Sequence, residues 1–158
     1  MKQAFVVLDT APTGHTLLLL DTAGAYHREI ERSISSDTSF TTPLMSLQDA
    51  NFTKILIATL AETTQVSEAE KLQDDLSRAG IKPYAWIVNQ SLALTGTTDP
   101  ILVQRSQSEI ELINNVQKDH ADNTVVIPWL AKSPTGREGL KEITRSEVME
   151  LGRVSLPY

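Results

Sequence analysis

Four short apolar runs, each continuous rather than alternating, are spread along the chain. They cover residues 5–8, 55–60, 85–88 and 125–130. Runs of this length predict strands that are buried on both faces, and the helical patterns between them favour parallel pairing. The sequence therefore predicts an α/β fold in one domain over residues 1–158, a parallel sheet with helices on both faces.

Helical spacing connects these predicted strands. Apolar residues recur every three or four positions from Val66 to Ala79, and Gly80 then provides a stop signal. Asp99 and Pro100 form an N-cap and first-turn pair for a second helix. Its inward residues are expected to be Val103, Ile110, Ile113 and Val116, and its polar face is expected to hold Glu109, Glu111 and Lys118.

Two further segments have weaker patterns. Residues 31–42 are rich in serine and threonine and predict a mobile or partner-dependent connection, after which Thr42 and Pro43 supply a helix-start signal. A last helix opens with a capping-box spacing at 135–138. Its inward residues are expected to be Leu140, Ile143, Val148 and Leu151.

Composition and charge exclude several classes of function. The formal net charge is -6 and no lysine or arginine stripe occurs, so nucleic acid is not an expected partner. The chain has no cysteine, which excludes disulfides and thiolate metal sites. Its longest apolar run, residues 17–20, is far below the roughly 20 residues of a membrane span. We expect a cytoplasmic protein without direct membrane insertion.

The chemistry-bearing segment follows the first apolar run. Asp9 ends the run and precedes a loop of threonine, proline and glycine. Nucleotide-hydrolysing α/β folds present a carboxylate in this way at the carboxyl edge of the sheet, where it holds Mg²⁺ through a water. An aspartate that only caps the following turn has the same local pattern.

The whole string Asp-Thr-Ala-Pro-Thr-Gly-His-Thr-Leu at 9–17 resembles the signature of the arsenical pump-driving ATPases and of their relatives that deliver tail-anchored membrane proteins. The resemblance continues through residues 24–30, 40–43, 60–64, 85–91 and 134–136. The chain is most similar to the C-terminal part of the second half of the duplicated bacterial pump ATPase.

The resemblance implies a deviant P-loop fold with named roles. Asp9 is the catalytic, Mg²⁺-linked carboxylate of the second switch, whose loop includes Thr10, Pro12, Thr13 and Gly14. Asn89 is the adenine-recognising residue, and Pro128 belongs to a loop that lies against the base. From the residues alone, Asn89 could equally end a strand and begin a turn.

The histidines divide into one candidate ligand and two surface residues. The resemblance makes His15 part of a metalloid site that includes cysteines from elsewhere in the complete protein. A single imidazole holds a soft metalloid poorly, so in this chain His15 is expected to bond locally at a helix start. His27 and His120 have no matching ligand spacing and are expected at the surface.

Two parts of an ATPase are missing from the sequence. It has no Gly-x-x-x-x-Gly-Lys-Ser/Thr motif to hold phosphates, and the family's first-switch carboxylate lies upstream of the matching region. ATP and Mg²⁺ are therefore expected to bind tightly only in the complete protein. Ala61 and the pair Lys132–Ser133 also depart from the family pattern, which usually has proline and an acidic residue there.

Three functions follow from this pattern. The leading one is part of an ATP-hydrolysing subunit that energises arsenite or antimonite efflux and is catalytically incompetent alone. Its expected partners are the N-terminal ATPase half and a membrane efflux protein, which would place it peripherally at the inner membrane. A non-catalytic interaction module or truncated-gene relic is the alternative, and a tail-anchored-protein targeting ATPase ranks third. Apolar faces that upstream strands of the complete domain would cover also predict self-association.

Overall fold

The computed structural model describes residues 5–10, 22, 25, 26, 29, 41–120 and 123–145. Residues 22, 25, 26 and 29 are helical. The remaining elements, in chain order, are α1 (Pro43–Gln48), β1 (Leu56–Leu60), α2 (Thr63–Arg78), β2 (Ala85–Ser91), α3 (Pro100–Asp119), β3 (Thr124–Pro128) and α4 (Gly136–Arg145). None of the described helices is both long and apolar enough to cross a membrane.

The three strands form one parallel sheet in the order β1-β2-β3. Leu56 lies opposite Ala85, and Val88 lies opposite Val126. Parallel neighbours require a crossover connection, which α2 provides between β1 and β2 and α3 provides between β2 and β3. The predicted α/β class is confirmed.

Helices α1 and α3 begin, and α2 ends, where their capping residues predict. Thr42 is buried, and its Oγ1 accepts a hydrogen bond from the Met45 amide at 3.3 Å. Oδ1 of Asp99 accepts bonds from the amides of Ile101 and Leu102 at 3.0 and 3.1 Å. These bonds satisfy amides that have no partner within a helix. Gly80 ends α2 with a φ of 73°, a left-handed conformation that glycine adopts without steric cost.

The core lies between one face of the sheet and helices α2 and α3. Its first cluster gathers Trp86, Ile57 and Val116 with apolar residues of α1 and α2. Its second joins Val88 and Val126 to Ile113 and Ala61. Successive strand residues point to opposite faces, and in β1 Ile57 and Thr59 are buried while Leu56 and Ala58 are exposed.

The first predicted strand is wrong. Residues 5–8 form no strand, and their side chains are 78–86% exposed. An apolar run gives a tendency to be buried, but a strand also needs a hydrogen-bonded neighbour, and in the described part of the chain β1 pairs only with β2. Asp9 therefore does not end a strand of this sheet.

Several predicted orientations are also wrong. Glu109, expected on the polar face of α3, is buried at 4% exposure, because it accepts hydrogen bonds from the turn after β2. His120, expected at the surface, is half-buried by its contacts with Glu70 and Trp86. Leu140 is exposed because no described element covers its side of α4. Val148, Leu151, His27 and residues 31–40 lie outside the described residues.

Strand β2 ends in a bulge. Val88 lies opposite Val126 and Ser91 lies opposite Pro128, so two residues of β2, Asn89 and Gln90, face one residue of β3. Gln90 has a φ of 56°, a left-handed conformation in which residues other than glycine and asparagine are uncommon. The bulge therefore concentrates backbone strain at the carboxyl end of the central strand.

Replacing Ile113 with alanine should lower the free energy of unfolding by about 2–5 kcal/mol, because a buried side chain would leave a cavity between α3 and the sheet. The matched control is Ile101→Ala on the same helix, where the side chain is 77% exposed and a change within about 0.5 kcal/mol is expected. Urea denaturation measures both. Equal losses in the two variants would contradict this packing of α3.

Replacing Gln90 with valine should lower the free energy of unfolding by about 1–3 kcal/mol, because a β-branched residue is strained at positive φ. The matched variants Gln90→Gly and Gln90→Asn should be tolerated, since both residue types adopt this conformation. Denaturation of the three proteins is the measurement. A harmless valine would show that residue 90 is not held in the left-handed region.

Candidate functional site

The carboxyl ends of the three strands meet at one edge of the sheet. Leu60 ends β1 opposite Asn89, and Pro128 ends β3 opposite Ser91. In open α/β sheets ligands bind in the crevice outside the carboxyl ends of the strands. The structure thus brings together two of the residues expected to contact nucleotide, Asn89 and Pro128, on adjacent strands.

Asn89 lies in the bulge and is half-buried. Its Oδ1 accepts a hydrogen bond from the Gln90 amide at 3.0 Å, and within the described residues its Nδ2 makes no hydrogen bond. A carboxamide offers an acceptor and two donors, which is the complement needed to read the polar edge of a heteroaromatic base. The turn-forming role and the recognition role of Asn89 are therefore compatible.

Pro128 lies one strand away and is also half-buried. The next residue, Trp129, donates its backbone N–H to the Ser91 carbonyl at 2.8 Å, which extends the pairing beyond the last residue of β3. The Pro128 ring is apolar and cannot rotate freely. It is a fixed hydrophobic surface beside the bulge, of the kind that packs against a planar group.

A buried carboxylate fixes the turn after β2, and it was not predicted from the sequence. Oε2 of Glu109 accepts hydrogen bonds from Ser91 Oγ at 3.0 Å and from the Leu92 amide at 2.7 Å. The signal that could have predicted its burial is the helical spacing of Glu109. Glu109 lies four residues before Ile113 and seven before Val116, a spacing that puts all three on one face of α3.

Arg105 continues this contact towards β1. Its Nε lies 3.5 Å from Oε1 of Glu109, and its Nη2 donates to Oε1 of Glu62 at 2.8 Å. Glu62 is the N-cap of α2 and follows β1 closely, so the three side chains connect the ends of two adjacent strands. Arg105 is 52% exposed, and its pair with the similarly accessible Glu62 contributes little by itself.

Only two of the remaining predicted site residues lie within the described ranges. Asp9 and Thr10 are exposed and lie outside the sheet, and Pro12, Thr13, Gly14 and His15 fall outside the described residues. No group of three or more histidine or acidic residues that could hold a metal ion occurs in the described ranges. Of the residues expected to contact nucleotide, the described part of this edge therefore contains Asn89 and Pro128.

A cavity of about 510 Å³ lies at the opposite, amino edge of the sheet. It is lined by the ends of α2 and α3 and by residues before β2, among them Gln73, Ser77, Ile81, Tyr84, Gln117 and His120. Nε2 of His120 lies 3.0 Å from Oε1 of Glu70, and the Trp86 indole donates to Gln73 at 2.6 Å. None of the residues expected to bind nucleotide lines it.

Comparison with known proteins identifies relatives over most of the chain. The arsenical pump-driving ATPase of Acidiphilium multivorum is 55% identical over 139 residues, covering 88% of this chain and 24% of that protein. One from Escherichia coli is 53% identical with the same coverage. A putative arsenical pump-driving ATPase of Halobacterium salinarum is 26% identical over 123 residues, covering 71% of this chain and 19% of that protein.

The chain spans about a quarter of the length of the first two relatives. A model of the anion-transporting ATPase family matches residues 40–149, a range that includes every described strand and the whole carboxyl edge of the sheet. The chain belongs to the anion-transporting ATPase family.

Proposed function

We propose that this chain provides the base-contacting part of an ATP-hydrolysing subunit that energises arsenite or antimonite efflux and that it does not hydrolyse ATP alone. The observation that carries the proposal is the position of Asn89 and Pro128 at adjacent strand ends of one sheet edge. The high identity to arsenical pump-driving ATPases supports the reaction class and the metalloid cargo.

The residues present indicate which groups of an ATP-hydrolysing site this chain could supply and which must come from the rest of the subunit. A phosphoryl-transfer site needs a phosphate cradle, a bound Mg²⁺ and a group that orients the attacking water. The sequence has no phosphate-loop motif, so the cradle has to come from another part of the subunit. Asp9 would act as the Mg²⁺-linked carboxylate once Thr10, Pro12, Thr13 and Gly14 form the switch loop in the complete protein.

The proposed partners follow from the same division. The N-terminal ATPase half would supply phosphate binding, and a membrane efflux protein would receive the energy of hydrolysis. Because this chain has no cysteine, His15 would contact the metalloid only beside thiolates from the rest of the subunit. The exposed apolar residues 5–8 support burial against such a partner or self-association.

The isolated chain should release no phosphate from ATP above background, because it has no residues to cradle the β- and γ-phosphates. A colorimetric phosphate assay with Mg²⁺ and ATP is the measurement, with Asp9→Ala as the matched variant and the Escherichia coli relative as the active control. Mg²⁺-dependent release that disappears in Asp9→Ala would overturn this division of labour. It would also show a phosphate site within these 158 residues.

Adenosine should bind the chain weakly, in the millimolar range, because the base contacts are present and the phosphate contacts are not. A nuclear magnetic resonance titration should shift the side-chain amide signals of Asn89, whereas guanosine should shift them little, since its base presents a different pattern of donors and acceptors. Asn89→Ala should abolish the adenosine response. The control is Asn114→Ala, an exposed position on α3. An unchanged response in Asn89→Ala would refute the assignment.

A further inference from the structure

We propose that Glu109 is a positioning residue that holds residues 89–92, here called the β2–α3 turn, in the shape that presents Asn89 to the base. This inference rests on the proposed function, because it names what positions the proposed base-contacting residue. Glu109 itself does not lie in the strand ends and is not expected to touch nucleotide. Its action is on the backbone and hydroxyl groups of the turn.

The geometry around Glu109 supports this role directly. A single oxygen, Oε2, accepts both from the Ser91 hydroxyl and from the Leu92 backbone amide. Ser91 is fully buried, and Leu92 and Glu109 are 8% and 4% exposed, so water does not compete freely for these bonds. Hydrogen bonds to an ionised acceptor are shorter and stronger than neutral ones. Removing the carboxylate would leave two buried donors without their partner.

The turn needs the two hydrogen bonds to Glu109 because its backbone is strained. Gln90 is held at a φ of 56° between Asn89 and Ser91. Such conformations persist only where the surrounding structure over-determines them. On one side the β2–β3 pairing fixes Val88, and on the other Ser91 is held both by Glu109 and by its pairing with β3. Glu109 also fixes the Leu92 amide. Ser91 Oγ also accepts from the Ala93 amide at 3.1 Å, which extends the fixed region towards α3.

Arg105 gives the buried carboxylate a counter-charge. It lies one helical turn before Glu109 and also contacts Glu62, close to the end of β1. Taking a carboxylate out of water is costly unless it is paired and hydrogen-bonded, and Glu109 has both kinds of partner. The network Glu62–Arg105–Glu109 thus connects the carboxyl end of β1 to the turn that contains Asn89.

If Glu109 positions Asn89, the selection of one base over another depends on a residue of α3. Recognition groups must be held within about 0.5 Å of their productive position to discriminate well. If Glu109 is removed, Asn89 keeps its chemistry but loses its fixed position. We therefore expect weaker adenosine binding and weaker discrimination against guanosine, with the sheet and the core intact.

The test uses all 158 residues of this chain and compares Glu109→Ala and Glu109→Gln with the exposed control Glu111→Ala. Hydrogen exchange of the Leu92 amide, measured without nucleotide, reports whether the bond from this amide to residue 109 is formed. Adenosine and guanosine titrations report its effect on the base site. In Glu109→Ala the Leu92 amide should exchange at least about tenfold faster and the adenosine Kd should rise about tenfold, as expected for the loss of one good hydrogen bond.

Glu109→Gln should lose clearly less of both properties than Glu109→Ala, because its carbonyl oxygen can still accept from Ser91 and Leu92, although the bonds are weaker without the charge. Glu111→Ala should behave like the unaltered chain. If Glu109→Ala does not fold, Ser91→Ala replaces it, since it removes one of the two donors and should weaken adenosine binding in the same direction. Amide exchange at Val88, in the paired part of β2, checks that the sheet is intact.

The outcomes separate the two proposals. If the unaltered chain does not bind adenosine, the proposed base site fails and the positioning role fails with it. If adenosine binding depends on Asn89 but is unchanged in Glu109→Ala, only the positioning role is overturned. Equal losses of affinity in Glu109→Ala and Glu109→Gln would also overturn it, because they would assign the effect to charge rather than to the hydrogen bonds that shape the turn.

Discussion

Strand β2 is hydrogen-bonded on both sides, and the arrangement of the other described elements depends on it. A central parallel strand can be reached only through crossover connections, so α2 and α3 are required to return the chain on either side of it. Trp86 and Val88 occupy successive inward positions of this strand, and each is the centre of one hydrophobic cluster. The two helices pack on the face that these side chains define.

The same strand also places the candidate site. The pairing of β2 with β3 slips by one residue after Val88 and resumes at Ser91, so the irregularity lies where the strand reaches the edge of the sheet. The slip takes Asn89 out of the pairing with β3, while Asn89 stays opposite Leu60 of β1. Its side-chain amide nitrogen has no described partner. Regular pairing up to Val88 and a bulge beyond it thus combine a stable scaffold with a partly exposed carboxamide, the group proposed to contact the base.

The parts of the structure that depend on local patterns could be predicted from the sequence. Three strands, the Asp99 and Thr42 caps and the Gly80 stop follow from the residue types and spacings at those positions. Residues 5–8 were predicted wrongly because strand formation depends on a neighbour that local pattern cannot supply. Glu109 was missed because it was assigned by its charge, although its helical spacing matched that of Ile113 and Val116.

A buried carboxylate at position 109 is explained by the two donors that it faces. An apolar residue such as leucine would fill the same space on α3, but hydrophobic replacement of a buried charge preserves stability only where its partners are replaced as well. It would, however, leave the Ser91 hydroxyl and the Leu92 amide buried without their acceptor. The turn would then relax towards a shape that satisfies those donors elsewhere, and the left-handed conformation at Gln90 would lose its support. The carboxylate therefore contributes both to the shape of the sheet edge and to stability, because it satisfies two buried donors.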